Sequence, residues 1–149
     1  MRRVVITGQG TINALGTDVA QTLEAMREGR CGISELAFQD VERLAIRIGG
    51  QVKGYDPEER FNRQQIALYD RFTQFTLIAA REALAQSGLT FSGELSTRSG
   101  VVLGTSGGGM NTLDENYRSV YEEGRNRVHP FVVPKLMNNA AASHVSMEY

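Results

Sequence analysis

The sequence predicts an α/β layer fold, and three observations carry that expectation. Two short apolar runs rich in β-branched residues, Val4-Val5-Ile6 and Val101-Val102-Leu103, each lead toward a glycine-rich turn, as buried strands do. Around them lie segments whose apolar residues recur at helical spacing and stop at glycine. No repeat, low-complexity tract or linker-like stretch interrupts the 149 residues, so no domain boundary is expected inside the chain.

In order, Val4–Ile6 reads as the first strand, ending in the turn Thr7-Gly8-Gln9-Gly10. After Gly16, Thr17 or Asp18 can cap a helix whose inner stripe is Val19, Leu23 and Met26, with Gly29 as its stop. Residues 30–62 read as an irregular connection. It holds one strand, Ala45-Ile46-Arg47-Ile48, broken by Gly49-Gly50, and a turn at Tyr55-Asp56-Pro57. From Arg63 to Ser87 the pattern predicts one long helix, with Tyr69, Phe72, Thr76, Ala79, Ala80, Ala83 and Leu84 facing inward and Gly88 ending it. Its alanines suggest a neighbour at close approach. Ser99–Gly104 then reads as a strand buried on both faces, before the loop Gly107-Gly108-Gly109. A helix with a Thr112/Glu115 capping box follows, with Leu113, Tyr117, Val120 and Tyr121 on one face, up to Gly124. Pro130 and Pro134 bracket an extended Phe131-Val132-Val133, and Pro134 opens a last helix through Met137, Ala140, Ala141, His144 and Val145. That helix runs into Met147-Glu148-Tyr149 with no closing element, so the domain is expected to be incomplete at its C-terminal end.

Sixteen basic against seventeen acidic residues leave a net charge of −1, which provides no overall field for nucleic acid or an anionic bilayer. All the basic residues except Lys53 and Lys135 are Arg, a lean toward fixed contacts. One cysteine, Cys31, and two histidines, His129 and His144, exclude a disulfide framework and argue against a Cys/His zinc site, which fits a reducing cytoplasm. The opening Met1–Gly8 stretch is too short for a signal-peptide core. No run approaches the roughly eighteen apolar residues of a membrane span.

Gly8-Gln9-Gly10 after an apolar run suggests a dinucleotide turn, but Asn13 stands where the third glycine belongs. Gly107-Gly108-Gly109 lacks the Gly-Lys-Ser/Thr of a phosphate loop. Its glycines serve either a tight turn or a backbone that leaves room for a ligand. His144, on an inner stripe, reads as a hydrogen-bonded core histidine. Cys31, just past a helix C-terminus where the dipole disfavours thiolate, is a poor nucleophile. Glu58/Glu59 and Asp114/Glu115 read as capping and solvation, and Arg125-Asn126-Arg127 as a solvated basic loop.

Taken in order, these segments resemble the N-terminal part of a β-ketoacyl-acyl carrier protein synthase of the elongating type. The resemblance spans essentially the whole chain. It rests on Arg3–Gly8 with Gly10 and Gly16, on Cys31-Gly32-Ile33 and on Tyr69-Asp70-Arg71-Phe72. It rests also on Gly104–Gly109 and on Pro130–Pro134 leading to Met137-Asn138-Asn139-Ala140-Ala141. The resemblance implies a thiolase-like layered fold, of which residues 1–149 are most of the first half, and a homodimer in the complete enzyme. It implies no cofactor and no metal.

The family's chemistry uses a cysteine at a helix N-terminus that accepts an acyl chain from acyl carrier protein, and two histidines that assist decarboxylation of malonyl carrier protein. Cys31, His129 and His144 match none of them. The nucleophile and both histidines are expected beyond Tyr149, and the 149 residues alone are expected to be inactive. The resemblance does transfer three acyl-contacting positions, Gly107, Val132 and Met137. Glycine at 107 leaves the acyl tunnel without a side-chain gate, and valine at 132 stands where phenylalanine is commoner. Arg63 and Arg127 are the charges it places on the carrier-docking face. The rest of the docking stretch, Gln64-Gln65-Ile66-Ala67-Leu68, lacks the usual basic residues, so docking is expected to be weaker, less salt-sensitive or directed at another partner. The rival expectations are a non-catalytic chain-length-factor-like subunit of the same fold and a nucleotide-binding module.

Overall fold

A computed structural model describes residues 3–149. The chain forms two compact units: one of residues 1–56 and 78–88, the other of residues 57–77 and 89–149.

In the first unit, helix α1 (Val19–Arg27) starts at Asp18, whose side chain accepts from the Gln21 N–H at 2.7 Å. It stops at Gly29, which takes φ +67°, a left-handed conformation that suits glycine, while the Arg30 N–H returns to the Ala25 carbonyl. The start and stop are those expected; the inward face is not. Ala25 is fully buried, whereas Leu23 and Met26 are exposed. Strands β1 (Ile33–Glu35) and β2 (Ile48–Gly50) pair antiparallel, with Ser34 opposite Gly49. The strand expected at 45–48 is therefore shifted, and the glycines read as its end lie inside it. Gly49 belongs there because a Cβ would lie 2.9 Å from Leu36 Cδ2.

Val4–Ile6 forms no strand. Val4 and Ile6 are 97% and 90% exposed, with no ladder partner among the described residues. A β-branched run becomes a strand only where another segment supplies the ladder. The residues that follow pack instead on helix α3 (Arg71–Ser87), whose part from Ile78 to Ser87 lies in this unit. A Cβ on Gly8 or Gly10 would overlap the carbonyls of Ala83 and Ala79. The Gln9 N–H donates to Gln86 Oε1 at 2.7 Å. Glu82 spreads its carboxylate over two segments, accepting from the Thr11 N–H at 2.9 Å and from the Val19 N–H at 2.8 Å, the first turn of α1. The close neighbour foreseen for the alanines of α3 is thus this glycine turn.

In the second unit, the long helix expected over 63–87 is two. Helix α2 (Arg63–Leu68) opens with an Asn62/Gln65 capping box and ends at Tyr69, whose backbone is extended. Asp70 then caps α3, accepting from the Phe72 N–H at 3.2 Å. Helix α4 (Glu94–Arg98), which apolar spacing did not announce, precedes residues 99–104. Those form no strand: Val102 is fully exposed and Val101 and Leu103 are more than a third exposed, again without a ladder partner among the described residues.

Helix α5 (Met110–Tyr121) begins directly at Gly109, so Thr112 lies within its first turn and the expected Thr112/Glu115 box does not form. Tyr117 and Tyr121, placed on its inner stripe by spacing, are exposed and stacked on each other. Residues 132–136 are helical, not extended: α6 (Val132–Leu136) holds Pro134 as its third residue, where the missing N–H would have had no intrahelical acceptor. A break at Met137–Asn139 separates it from α7 (Ala140–Glu148), which buries Ala140, Ala141 and Val145 as expected. Helix α6 packs against both α5 and α7.

These glycine contacts separate two costs. In urea unfolding, Gly10→Ala is expected to lose about 3 kcal/mol, because backbone atoms of α3 must move. Gly54→Ala, at φ +66° with open space around it, should lose only about 1 kcal/mol of conformational energy. Equal losses would contradict close packing at Gly10.

Candidate functional site

The second unit is built around a buried carboxylate. Asp70 is 3% exposed and Thr112 equally so. Asp70 Oδ2 accepts from the Thr112 N–H at 2.8 Å and from the Thr112 hydroxyl at 2.6 Å, while Oδ1 accepts from the Phe72 N–H. One side chain therefore starts α3 and satisfies a first-turn N–H of α5 that has no acceptor inside its own helix.

Next to this clamp lies the glycine turn. Gly108, at φ +56°, and Gly109 face the segment Leu136–Asn138 so closely that neither has room for a Cβ. On Gly109 a Cβ would stand 2.6 Å from Leu136 Cα and 3.2 Å from Asp70 Oδ2. The Gly109 N–H donates to the Leu136 carbonyl at 3.0 Å. Of the two purposes the sequence left open, tight packing accounts for Gly108 and Gly109. Gly107 differs: it is exposed, and a Cβ there would meet only the flexible Met110 side chain, at 3.1 Å.

On α2, α6 and α7 the same unit carries an open cleft of about 630 Å³, lined by Leu68, Tyr69, Pro134, Met137, Ala140 and His144 among others. Met137 is part of that lining; Val132, half-buried on α6, and Gly107 lie outside it. Arg63, the first residue of α2, and Arg127, in the loop after α5, are both exposed. Tyr69 and Asp70, at the break between α2 and α3, had drawn no functional reading of their own. The signal was there: an aspartate followed by a helical run marks a helix start.

His144 lies half-buried in the cleft, its ring tilted against that of Tyr69 at 4.4 Å between centroids. The sequence read it as a hydrogen-bonded core histidine. Burial lowers its pKa below the ordinary 6.5, since a buried ring resists taking a charge. His129 is exposed, and its Nδ1 accepts from the Phe131 N–H. Cys31 is exposed in the first unit, where its Sγ accepts from the Ile33 N–H at 3.4 Å and lies 3.8 Å from the Ile33 carbonyl. Among the described residues no three His, Cys, Asp or Glu side chains are grouped to hold a metal, and no helix is long and apolar enough to cross a membrane.

The lowered pKa of His144 has a defined sign. The unfolded chain takes up the proton first as pH falls, so the stability tied to the neutral ring is complete above pH 6.5 and is lost as pH drops toward the folded-state value. Urea midpoints at pH 7.5 and 5.5 should fall less for His144→Gln than for the native chain. An identical fall in both would contradict the partial burial of the His144 ring.

Comparison with known proteins gives a consistent result. The family model described as beta-ketoacyl synthase, N-terminal domain, matches residues 1–149. Over 147 residues the chain is 34% identical to a 3-oxoacyl-[acyl-carrier-protein] synthase 2 of Staphylococcus aureus, and over 146 residues 40% identical to a nodulation protein E of Rhizobium leguminosarum bv. trifolii. These alignments take in 99% and 98% of this chain but 36% of each relative, so the chain spans about a third of their length. Among solved structures it resembles a β-ketoacyl synthase from Burkholderia phymatum (TM-score 0.77, 25% identity, 99% of this chain and 36% of that one). It also resembles the ishigamide ketosynthase/chain length factor (TM-score 0.80, 23% identity, 99% and 37%), a likeness of fold. The helices and short sheet described above are thus part of the thiolase-like ketosynthase fold, and the chain belongs to the β-ketoacyl synthase family, matched across all its residues by the family's N-terminal domain.

Proposed function

We propose that the protein is a condensing enzyme of fatty-acid synthesis that acts in the cytoplasm as a homodimer, with residues 1–149 as its N-terminal part. The observation that carries this reading is the 34% identity, over 99% of the chain, to a 3-oxoacyl-acyl carrier protein synthase. In the reaction a cysteine thiolate takes the acyl group from acyl carrier protein as a thioester and frees the carrier thiol. Malonyl carrier protein loses CO₂, its carbanion attacks the thioester carbonyl, and the thiolate leaves as 3-oxoacyl carrier protein forms. A solved ketosynthase of the same fold is in complex with a type II polyketide acyl-carrier protein, which supports a carrier protein as partner.

Within this chain, Gly107, Val132 and Met137 contact the acyl chain, and Arg63 and Arg127 face the acidic carrier. The nucleophile is none of Cys31, His129 or His144: Cys31 sits past the C-terminal end of α1, where the dipole opposes a thiolate. A second reading, a chain-length-factor-like subunit that shapes the pocket without a nucleophile, is favoured by the likeness to the ketosynthase/chain length factor.

A condensation assay with acyl and malonyl carrier proteins separates these readings. The full-length polypeptide should form 3-oxoacyl product and a covalent acyl-enzyme visible by intact mass, and residues 1–149 alone should form neither. A full-length protein that forms no acyl-enzyme would favour the subunit reading. Gly107→Ile in the full-length protein should shift preference toward shorter acyl chains; an unchanged profile would remove Gly107 from the acyl path.

A further inference from the structure

We infer that Asp70 is a positioning residue for acyl-chain selection, acting through Thr112 on the glycine turn at 107–109. The inference rests on the condensing-enzyme reading and extends it to side chains that touch no substrate. As a cap for α3 alone, Asp70 needs only one oxygen, the one that accepts from the Phe72 N–H. Its second oxygen is committed to both donors of a single residue forty-two positions away, the Thr112 N–H and hydroxyl. Hydrogen bonds to an ionised carboxylate are short and strong, and this pair fixes the first turn of α5 in direction as well as distance.

The two residues that join that turn to Gly107 are both held in place. Gly109 opens α5 and accepts from the Leu113 N–H at 3.0 Å, while its own N–H is held by Leu136. Gly108 and Gly109 are pressed on Leu136–Asn138 without room for a methyl group, and the Met110 side chain lies beneath Gly107. A displacement of Thr112 therefore shifts Gly107 and Met110 against the Leu136–Asn138 segment, in which Met137 lines the cleft. Tyr69, the residue before Asp70, lines the same cleft. Two of the proposed acyl-contacting positions, Gly107 and Met137, thus take their separation from one carboxylate.

The test uses the full-length enzyme and the ratio of kcat/KM for a long and a short acyl carrier protein. A purely structural defect lowers the amount of active enzyme equally for both substrates and leaves this ratio alone. Thr112→Val keeps shape but loses the hydroxyl donor, and should change the ratio about tenfold, the scale on which pocket geometry discriminates chain length. Thr112→Ser, which restores the donor, should return it to the native value. Asp70→Asn, whose single carbonyl oxygen can serve the Phe72 N–H or the two Thr112 donors but not both, supplies the same readout if Thr112→Val does not fold. A native ratio in both Thr112→Val and Asp70→Asn overturns the inference. Absence of condensation by the unsubstituted enzyme would instead overturn the reading beneath it.

Discussion

The carboxylate of Asp70 meets three donors inside the second unit, and the local structure follows from where those donors sit. It interrupts what apolar spacing alone would make one helix, because a chain that starts again at an N-cap must leave the helical path at the residue before it, here Tyr69. It fixes the start of α5 by accepting from Thr112, and the start of α5 fixes the glycine turn. A buried charge with no cationic partner among the described residues is costly unless donors surround it, and here backbone and hydroxyl groups do so. Removing the carboxylate would leave the N–H and hydroxyl of Thr112 buried with no acceptor, so the arrangement tolerates few substitutions.

The first unit uses the same chemistry in a more exposed setting. Glu82 takes one N–H from the glycine turn and one from the first turn of α1, while glycine against alanine brings the turn onto α3. In both units a helix N-terminus is satisfied by a carboxylate remote in sequence, and glycines permit the backbone contact beside it. Close packing therefore explains Gly8, Gly10, Gly108 and Gly109, whose spacing resembles nucleotide and phosphate turns without completing either motif. Gly107 is the glycine of its loop that this explanation leaves over, and it is the one the proposed function uses.

Much of this was legible in the sequence because it is local. Asp18 and Gly29 delimit α1, the alanines of α3 announce a close neighbour, and Ala140, Ala141 and Val145 mark the inner face of α7. What was not legible depends on partners far along the chain. Val4–Ile6 and Val101–Leu103 have the composition of strands, but composition does not supply a ladder. The division of the long helix depends on Asp70, whose other contacts lie forty-two residues away. Helix α6 accommodates Pro134 because the ring stands in its first turn, where no intrahelical bond is lost, while Val133 is helical against the usual extended preference of a residue before proline. The segments that carried the family resemblance include Tyr69–Phe72, Gly104–Gly109 and Pro130–Ala141. Their common feature in space is the Asp70 junction, which no reading of each segment alone could show.

On the proposed condensing-enzyme reading, acyl-chain length would be set by backbone segments held at a fixed separation as much as by the side chains that line the path. The claim on which the rest depends is that Asp70 holds the first turn of α5, and amide hydrogen exchange at Thr112 tests it most directly. First-turn amides of a helix ordinarily exchange readily, because no intrahelical acceptor protects them. With Asp70 holding that turn, the Thr112 amide should be strongly protected while that of Asn111, exposed in the same turn, should not, and Asp70→Ala should abolish the difference. Equal, rapid exchange at Thr112 and Asn111 in the native protein would contradict it.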